Sequence, residues 1–296
     1  MKIGICGTGK MGSEIAKRLI ETDQDITVWN RTQSKASLLI NHGAKIASNI
    51  SELVKNNDII LCIMGDDIAL DYVYNSKDGF KNSDLSNKII IELSTTSVEK
   101  IKSLQKIIIN LNGEFIECPV GGSTKPARDG QLLGLVGGNK KTFDKIEYLL
   151  KFICRRYEYL GDVGKGASMK LAVNLPLMVY WQALGEAISI ATNSGIQFEK
   201  ALDIMMDSSG AAKVAHLKLN SIIQAMNNET NLPSTFNASS SLKDMKLMVE
   251  EGNKNGNDLH VINSAMSYVE EAVNSGWADY DASLLSVYIN KKNLID

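Results

Sequence analysis

The sequence predicts an α/β chain: a Rossmann-type, doubly wound parallel sheet domain over residues 1–162, then an all-α domain over 163–296 joined to it by a long helix. Three observations predict it. Short apolar runs alternate with helical patterns through the first part of the chain. A Gly-x-Gly-x-x-Gly turn at Gly7, Gly9 and Gly12 directly follows the first of those runs. After residue 162 strand-like runs stop, and helical periodicity continues to the end. Strands covered by helices on both faces read as near-continuous apolar runs, whereas amphipathic helices repeat every three to four residues.

The elements follow in order. "KIGIC" (2–6) reads as a strand, "SEIAKRLIE" (13–21) as a helix and "DITVWN" (25–30) as a second strand. A helix is expected through "SKASLLINHG" (34–43). Strands three to five are "DIILCIM" (58–64), "KIIIEL" (88–93) and "EFIECPV" (114–120). The second domain shows helical periodicity over 166–194, 197–206, 214–227, 238–255, 258–275 and 280–290, and Gly195, Gly252, Gly256 and Gly276 fall where helices would end.

A chain of 296 residues suits two domains better than one core. Lys and Arg number 32 against 34 Asp and Glu, which gives no electrostatic drive toward nucleic acid or an anionic membrane. Cys6, Cys62, Cys118 and Cys154 form no Cys-x-x-Cys pair, and three of them lie near the ends of strand-like runs. They read as reduced structural thiols. His42, His216 and His260 lie far apart in sequence, so no metal site is expected. The start of the sequence, one Lys and then a glycine-punctuated strand, leads us to expect no leader peptide. The most apolar stretch, Ala172 to Leu184, is interrupted by Asn174, Pro176 and Gln182, so a cytoplasmic, non-membrane protein is expected.

The glycine turn carries the first chemistry. Gly7 permits a tight turn, Gly9 lets backbone approach a pyrophosphate, and Gly12 lets helix and strand pack closely. Thr8, Lys10 and Met11 complete the loop, and the helix start aims N–H groups at phosphate. At the end of the second strand an NAD site usually carries a carboxylate for the ribose 2′-hydroxyl. Asn30 stands there instead, followed by Arg31, with Thr32 and Lys35 within reach of the same anion. Arginine pairs with phosphate bidentately, and a lysine near a helix start is unfavourable without an anion. The expected cofactor is NADP(H).

Lys170 begins a long apolar helix, with Asn174 one turn on and Gly166 one turn before it on the same face. Read as facing a cleft between the domains, Lys170 suits acid–base work, because desolvation lowers an ammonium pKa toward neutrality. Gly166 would leave room there for a ligand.

Several motifs occur together in order: "GTGKMG" (7–12), "VWNRT" (28–32), "LST" (93–95), "ECPVGGSTKPARDGQLLGLVGG" (117–138), "GKGASMKLAVN" (164–174) and "LKD" (242–244). The series resembles the β-hydroxyacid dehydrogenase family over nearly the whole chain. Within it, "GGSTKPARDGQL" is most similar to the glyoxylate/succinic semialdehyde reductase branch, whose members also act as γ-hydroxybutyrate dehydrogenases. The resemblance implies an NADP(H)-dependent interconversion of a small carboxylate-bearing semialdehyde and its hydroxyacid, with Lys170 as proton donor and Asn174 orienting it. It gives Met64, Ser94, Thr95 and Lys243 to the cofactor, and Gly121, Gly122, Ser123, Thr95 and Asp244 to the substrate. Gly121 stands where the family usually has serine, and Ser123 where it usually has glycine. A 3-hydroxyisobutyrate or other 3-hydroxyacid dehydrogenase is the alternative. Imine reductases share the architecture but generally lack the lysine, and a non-catalytic dinucleotide-binding protein is a distant third reading. A homodimer or homotetramer through apolar helical faces is expected.

Overall fold

Ile3, Ile5, Val28, Ile59, Leu61 and Ile91 point into one buried layer, while Ile60, Cys62 and Ile90 point into another. This is the period-two alternation of strands covered on both sides. The computed structural model describes residues 1–229 and 231–292. Its sheet comprises β1 (Ile3–Cys6), β2 (Ile26–Trp29), β3 (Lys45–Ile46), β4 (Ile59–Cys62), β5 (Ile89–Glu92), β6 (Glu114–Glu117), β7 (Val120–Gly121), β8 (Leu132–Gly138) and β9 (Cys154–Gly161). The order is β3-β2-β1-β4-β5-β6-β8-β7, with β9 also on β8. The first six strands are parallel. From β1 the chain first builds outward through β2 and β3, then resumes on the other side at β4. The reversal leaves a crevice at the carboxyl ends of β1 and β4, where open α/β sheets bind ligands.

Helices α1 (Lys10–Glu21), α2 (Gln33–Ser37), α3 (Ile50–Asn56), α4 (Asp67–Asn75), α5 (Val98–Asn110), α6 (Thr124–Arg128) and α7 (Lys140–Ile153) accompany the strands. Leu19 of α1 and Ile146 of α7 belong to the first buried layer. Leu53 of α3, Val73 of α4 and Leu104 of α5 belong to the second. The long α8 (Lys165–Asn193) runs on through Pro176. It is followed by α9 (Phe198–Asp207), α10 (Lys213–Met226), α11 (Ala238–Lys254), α12 (His260–Ala272) and α13 (Leu285–Lys292). The chain divides into two compact units, Met1–Leu171 and Ala172–Asp296, so the division falls inside α8.

The structure adds four strands to the five expected. β8 and β9 were hidden for different reasons. β8 runs antiparallel to β6 and β7 and carries Gly134, Gly137 and Gly138, a composition that weakens a strand signal. At Gly134 a side chain would stand 3.2 Å from both the Cys118 and Cys154 sulfurs, a tight fit. β9 pairs with β8 alone, and its exposed Arg155 and Arg156 are edge-strand charges. The helix expected over 34–43 reduces to α2 and a separate turn at Ile40–His42. The helix expected over 258–275 ends as α12 at Ala272, before a wider turn in which Gly276 takes φ +90°.

In the helical unit, Trp181 is buried and meets the half-buried Tyr180 edge to face, centroids 5.1 Å apart. The unit is also tied by a buried ion pair, Lys218 Nζ to Asp281 Oδ2 at 2.7 Å.

Candidate active site

The β1–α1 turn is shaped as the glycine pattern requires. Gly7 takes φ +103°, and a side chain there would stand 2.3 Å from the Ile63 carbonyl oxygen. A side chain at Gly12 would stand 2.0 Å from the Gly7 carbonyl oxygen. Both glycines are therefore demanded by the protein's own packing. Gly9 differs: a side chain there would meet nothing within 4 Å. The space beside Gly9 is open, as a cradle for a ligand backbone would be. Gly9 is also the N-cap of α1, which has no side-chain cap and no acidic residue in its first turn. Thr8 is buried, and its hydroxyl oxygen has no hydrogen-bond partner among the described residues. An open approach, an uncapped helix start and an orphaned hydroxyl fit a pyrophosphate.

Asn30 braces this turn. Its Oδ1 accepts from the Thr8 N–H at 3.0 Å, and its Nδ2 donates to the Thr32 carbonyl oxygen at 3.0 Å. Beside it a cleft of about 360 Å³ is lined by Trp29, Asn30, Arg31, Gln33, Ser48, Asn49, Ile50, Tyr72 and Asp78. Arg31 lies in its wall. Thr32 and Lys35 do not, although both are exposed on α2 and its N-cap.

Two buried carboxylates at the carboxyl ends of β5 and β6 hold the neighbouring loops. Glu92 Oε2 accepts from the Tyr74 hydroxyl at 2.8 Å, and Oε1 from the Ser94 N–H at 3.0 Å. Burial pushes its carboxyl above the usual range, against these hydrogen bonds. Ser94 in turn uses its hydroxyl oxygen to accept the Met64 N–H at 2.7 Å, and the Met64 side chain lies over Gly7. Gly7, Met64, Ser94 and the half-buried Thr95 are thus brought to one end of the sheet. Glu117 accepts N–H groups from Gly164 (2.6 Å), Gly166 (2.9 Å) and Ala167 (3.2 Å). Burial raises its pKa, while these backbone bonds oppose the rise. Glu117 thus supplies the acceptors for N–H groups at the amino end of α8, which have no partner within the helix. Gly166 serves this contact rather than leaving room for a ligand: a side chain there would stand 2.4 Å from the Leu135 carbonyl oxygen and 3.1 Å from the Glu117 carboxyl carbon.

Lys170, one turn beyond that anchored start, is only 6% exposed. In the helical unit, Asn174 Nδ2 donates to Asp244 Oδ2 at 3.2 Å, and Lys243 Nζ lies 3.1 Å from Asp244 Oδ1. Three of the predicted residues thus form one network around a buried carboxylate. Gly121 ends β7, Gly122 takes φ +126° against Leu132 and Pro126, and Ser123 precedes α6 without capping it through its side chain.

Sequence reasoning assigned no role to Glu117 or Tyr72. The signal for Glu117 was present: a carboxylate ending a buried apolar strand needs a partner. Tyr72 had none, since a tyrosine within α4 reads as an ordinary helix residue. Among the described residues no His, Cys, Asp and Glu group is placed to hold a metal, and no helix is long and apolar enough to cross a membrane. All four cysteines are buried and unpaired.

Two family models match the chain. One, described as the NAD binding domain of 6-phosphogluconate dehydrogenase, covers residues 2–161. The other, described as NAD-binding of NADP-dependent 3-hydroxyisobutyrate dehydrogenase, covers 164–288. The chain is 31% identical over 283 residues to glyoxylate/succinic semialdehyde reductase 1 of Arabidopsis thaliana, covering 96% of each. It is similar in fold to a 3-hydroxyisobutyrate dehydrogenase of Salmonella typhimurium (TM-score 0.87, 18% identity, 97% of this chain and 99% of that one). It is also similar to Psf3, solved in complex with NADP+ and 2-OPP (TM-score 0.86, 22% identity, 97% of this chain and 99% of that one).

Proposed function

Because the chain belongs to the β-hydroxyacid dehydrogenase family, we propose that this oxidoreductase, which acts on CH–OH groups with a nicotinamide dinucleotide, uses NADP(H) to interconvert a small carboxylate-bearing semialdehyde and its hydroxyacid. Succinic semialdehyde and glyoxylate are the substrates to try first. The observation that carries the reading is Lys170, a buried lysine on a helix whose first turn is fixed by Glu117.

The roles follow from chemistry. Gly7, Thr8, Gly9, Lys10, Met11 and Gly12 would hold the pyrophosphate, with Met64, Ser94 and Thr95 toward the nicotinamide end. Arg31, with Thr32 and Lys35, would take the 2′-phosphate, and Asn30 supplies no carboxylate to repel it. Lys243 completes the cofactor set. When bound, the reduced nicotinamide supplies a hydride to the carbonyl carbon. Lys170 delivers the proton to the carbonyl oxygen and becomes the neutral amine; in the reverse direction it accepts the hydroxyl proton. Asn174 lies four residues on along α8, on the same helical face, and is held by Asp244. The Gly121–Ser123 turn would offer backbone N–H groups to the substrate carboxylate.

The second reading, a 3-hydroxyisobutyrate-type dehydrogenase, draws on the family model over 164–288. A homodimer or homotetramer in a reducing, cytoplasmic setting belongs to the proposal; the buried, unpaired cysteines agree with such a setting.

The test is NADPH oxidation with succinic semialdehyde and with glyoxylate, comparing wild type with Lys170→Ala. The expected result is turnover that falls by about 10²–10⁴-fold in the variant while NADPH binding persists. No turnover of either aldehyde by wild type, with NADPH still bound, would remove the semialdehyde assignment and move the search to branched 3-hydroxyacids with NADP⁺.

A further inference from the structure

The cleft at the end of β2 contains a three-membered stack. Tyr72, on α4, lies 5° from the plane of Trp29, with ring centroids 6.3 Å apart. On Tyr72 rests the Arg31 guanidinium, its central carbon 6.0 Å from the ring centroid. Trp29 is buried and anchored in β2, whereas Tyr72 is 42% exposed. All three line the same cleft of about 360 Å³.

We propose that Tyr72 is a positioning residue for cofactor choice: its ring holds the Arg31 guanidinium in the cleft so that the site selects a 2′-phosphorylated adenine nucleotide. The inference rests on the NADP(H) reading above and deepens it.

Arginine is long, and an exposed one loses rotamer freedom when it is fixed in place. Something must hold it for the phosphate contact to be preorganised. Arg31 makes no hydrogen bond or ion pair with any described residue. Its guanidinium donors are therefore available, and the contact that restrains it among the described residues is the Tyr72 face. A guanidinium over an aromatic face is attracted by the ring quadrupole, and the contact leaves the N–H edge open for a planar anion. Trp29 limits how far the Tyr72 ring can move, since parallel offset rings at this separation attract each other.

The surrounding charges agree. Of the carboxylates on α4, Asp67 accepts from the Thr96 hydroxyl at 2.7 Å and Asp71 is ion-paired with Lys100. Asp78, after α4, also lines the cleft and would oppose a phosphate. Arg31 must therefore be held toward the anion to give a net preference. Asn30 is neutral and bonded to Thr8 and Thr32, so the positive charge for the discrimination comes from Arg31.

The test compares the dissociation constants of 2′,5′-ADP and 5′-ADP by calorimetry on the full chain, without substrate. The proteins are wild type, Tyr72→Phe, Tyr72→Leu and Arg31→Ala. NADPH and NADH KM values give a second readout. Tyr72→Phe keeps the ring face and is expected to bind both nucleotides within about twofold of wild type. Tyr72→Leu keeps an apolar contact with Trp29 but removes the π face. It is expected to weaken 2′,5′-ADP by about 3- to 10-fold, with 5′-ADP changed less than about twofold and kcat with NADPH unchanged. Arg31→Ala should abolish the preference between the two ligands. Equal weakening of both ligands by Tyr72→Leu would make Tyr72 a general wall of the adenine site and overturn the proposal. An unchanged preference would overturn it as well, while leaving the NADP(H) reading in place. A wild type that does not prefer 2′,5′-ADP would remove both.

Discussion

Glu117 is the buried carboxyl that anchors the start of α8. Its Oε1 accepts from Gly164 and Gly166, and its Oε2 accepts from Ala167, at the start of the helix that carries Lys170. Glu117→Gln keeps a carbonyl-type oxygen for the first two but sets an amino group against the Ala167 N–H. Two donors then face each other in a buried place. The expected cost is about 1–3 kcal/mol, since one buried N–H is left without an acceptor. Glu117→Ala removes all three bonds and should cost more. If Lys170 is positioned through this anchor, kcat falls in both variants while the KM for NADPH stays near wild type. A stability loss with unchanged kcat would limit Glu117 to folding. Denaturant midpoints and initial rates measure the two quantities separately. The effect belongs to Glu117 because Gly166 lets α8 approach; a residue with a side chain there would meet Leu135 and Glu117.

At the scale of the element, the β1–α1 turn separates glycines kept for the fold from a glycine that the fold leaves open. Gly12→Ala would place a methyl group 2.0 Å from the Gly7 carbonyl oxygen, so the helix or the turn must shift. Tm and nucleotide affinity should both fall. Gly9→Ala meets nothing within 4 Å, so Tm should stay within a degree or two of wild type, as expected of a substitution that makes no new protein contact. NADPH affinity should still fall, by about tenfold or more, because the methyl group occupies the backbone approach to the pyrophosphate. Thermal melts with and without NADPH decide it, and a Gly9→Ala protein that binds NADPH normally would refute the cradle. The same element shows what was legible in advance. The glycine spacing, the Asn30–Arg31 pair and the five parallel strands could be read because each is a local pattern with a physical requirement. β8 and β9 could not be read. β8 is interrupted by Gly134, Gly137 and Gly138, which weaken a strand signal, and β9 is a charged edge strand. Tyr72 was invisible for a different reason: its partners, Trp29 and Arg31, lie some forty residues earlier, on another element.

At the scale of the whole molecule, the net charge is −2 at pH 7, with 34 acidic residues against 32 Lys and Arg. Acid therefore makes the chain increasingly positive, and general repulsion will destabilise it. One site in the helical unit adds a specific contribution. Asp281 is 3% exposed and accepts from Lys218 Nζ, the Thr235 N–H at 2.9 Å and the Ser283 hydroxyl at 2.7 Å. Burial alone would raise its pKa. The Lys218 bond and charge, with the Ser283 and Thr235 bonds, outweigh burial and hold the carboxyl below its ordinary value of 3.8. A carboxyl whose folded pKa is depressed stabilises the fold at pH values above its unfolded pKa. That contribution is lost as pH falls through the lower, folded value. Asp281→Asn should therefore cost about 3 kcal/mol at neutral pH, because it strands Lys218 in a mostly buried place. The difference from wild type should shrink below about pH 4, where the carboxyl of the unfolded chain begins to take up a proton, and should fade further as the folded carboxyl protonates. Salt separates this loss from general repulsion. Diffuse surface charge is screened within roughly 8–10 Å at moderate ionic strength, whereas a buried pair is screened much less. Urea unfolding of both proteins at pH 7 and at successively lower pH, each at low and high salt, gives the decision. A pH 7 difference that survives high salt and fades with acid assigns it to Asp281 and Lys218. A difference that vanishes with salt at pH 7 would assign it to long-range charge and reject the buried pair as its source.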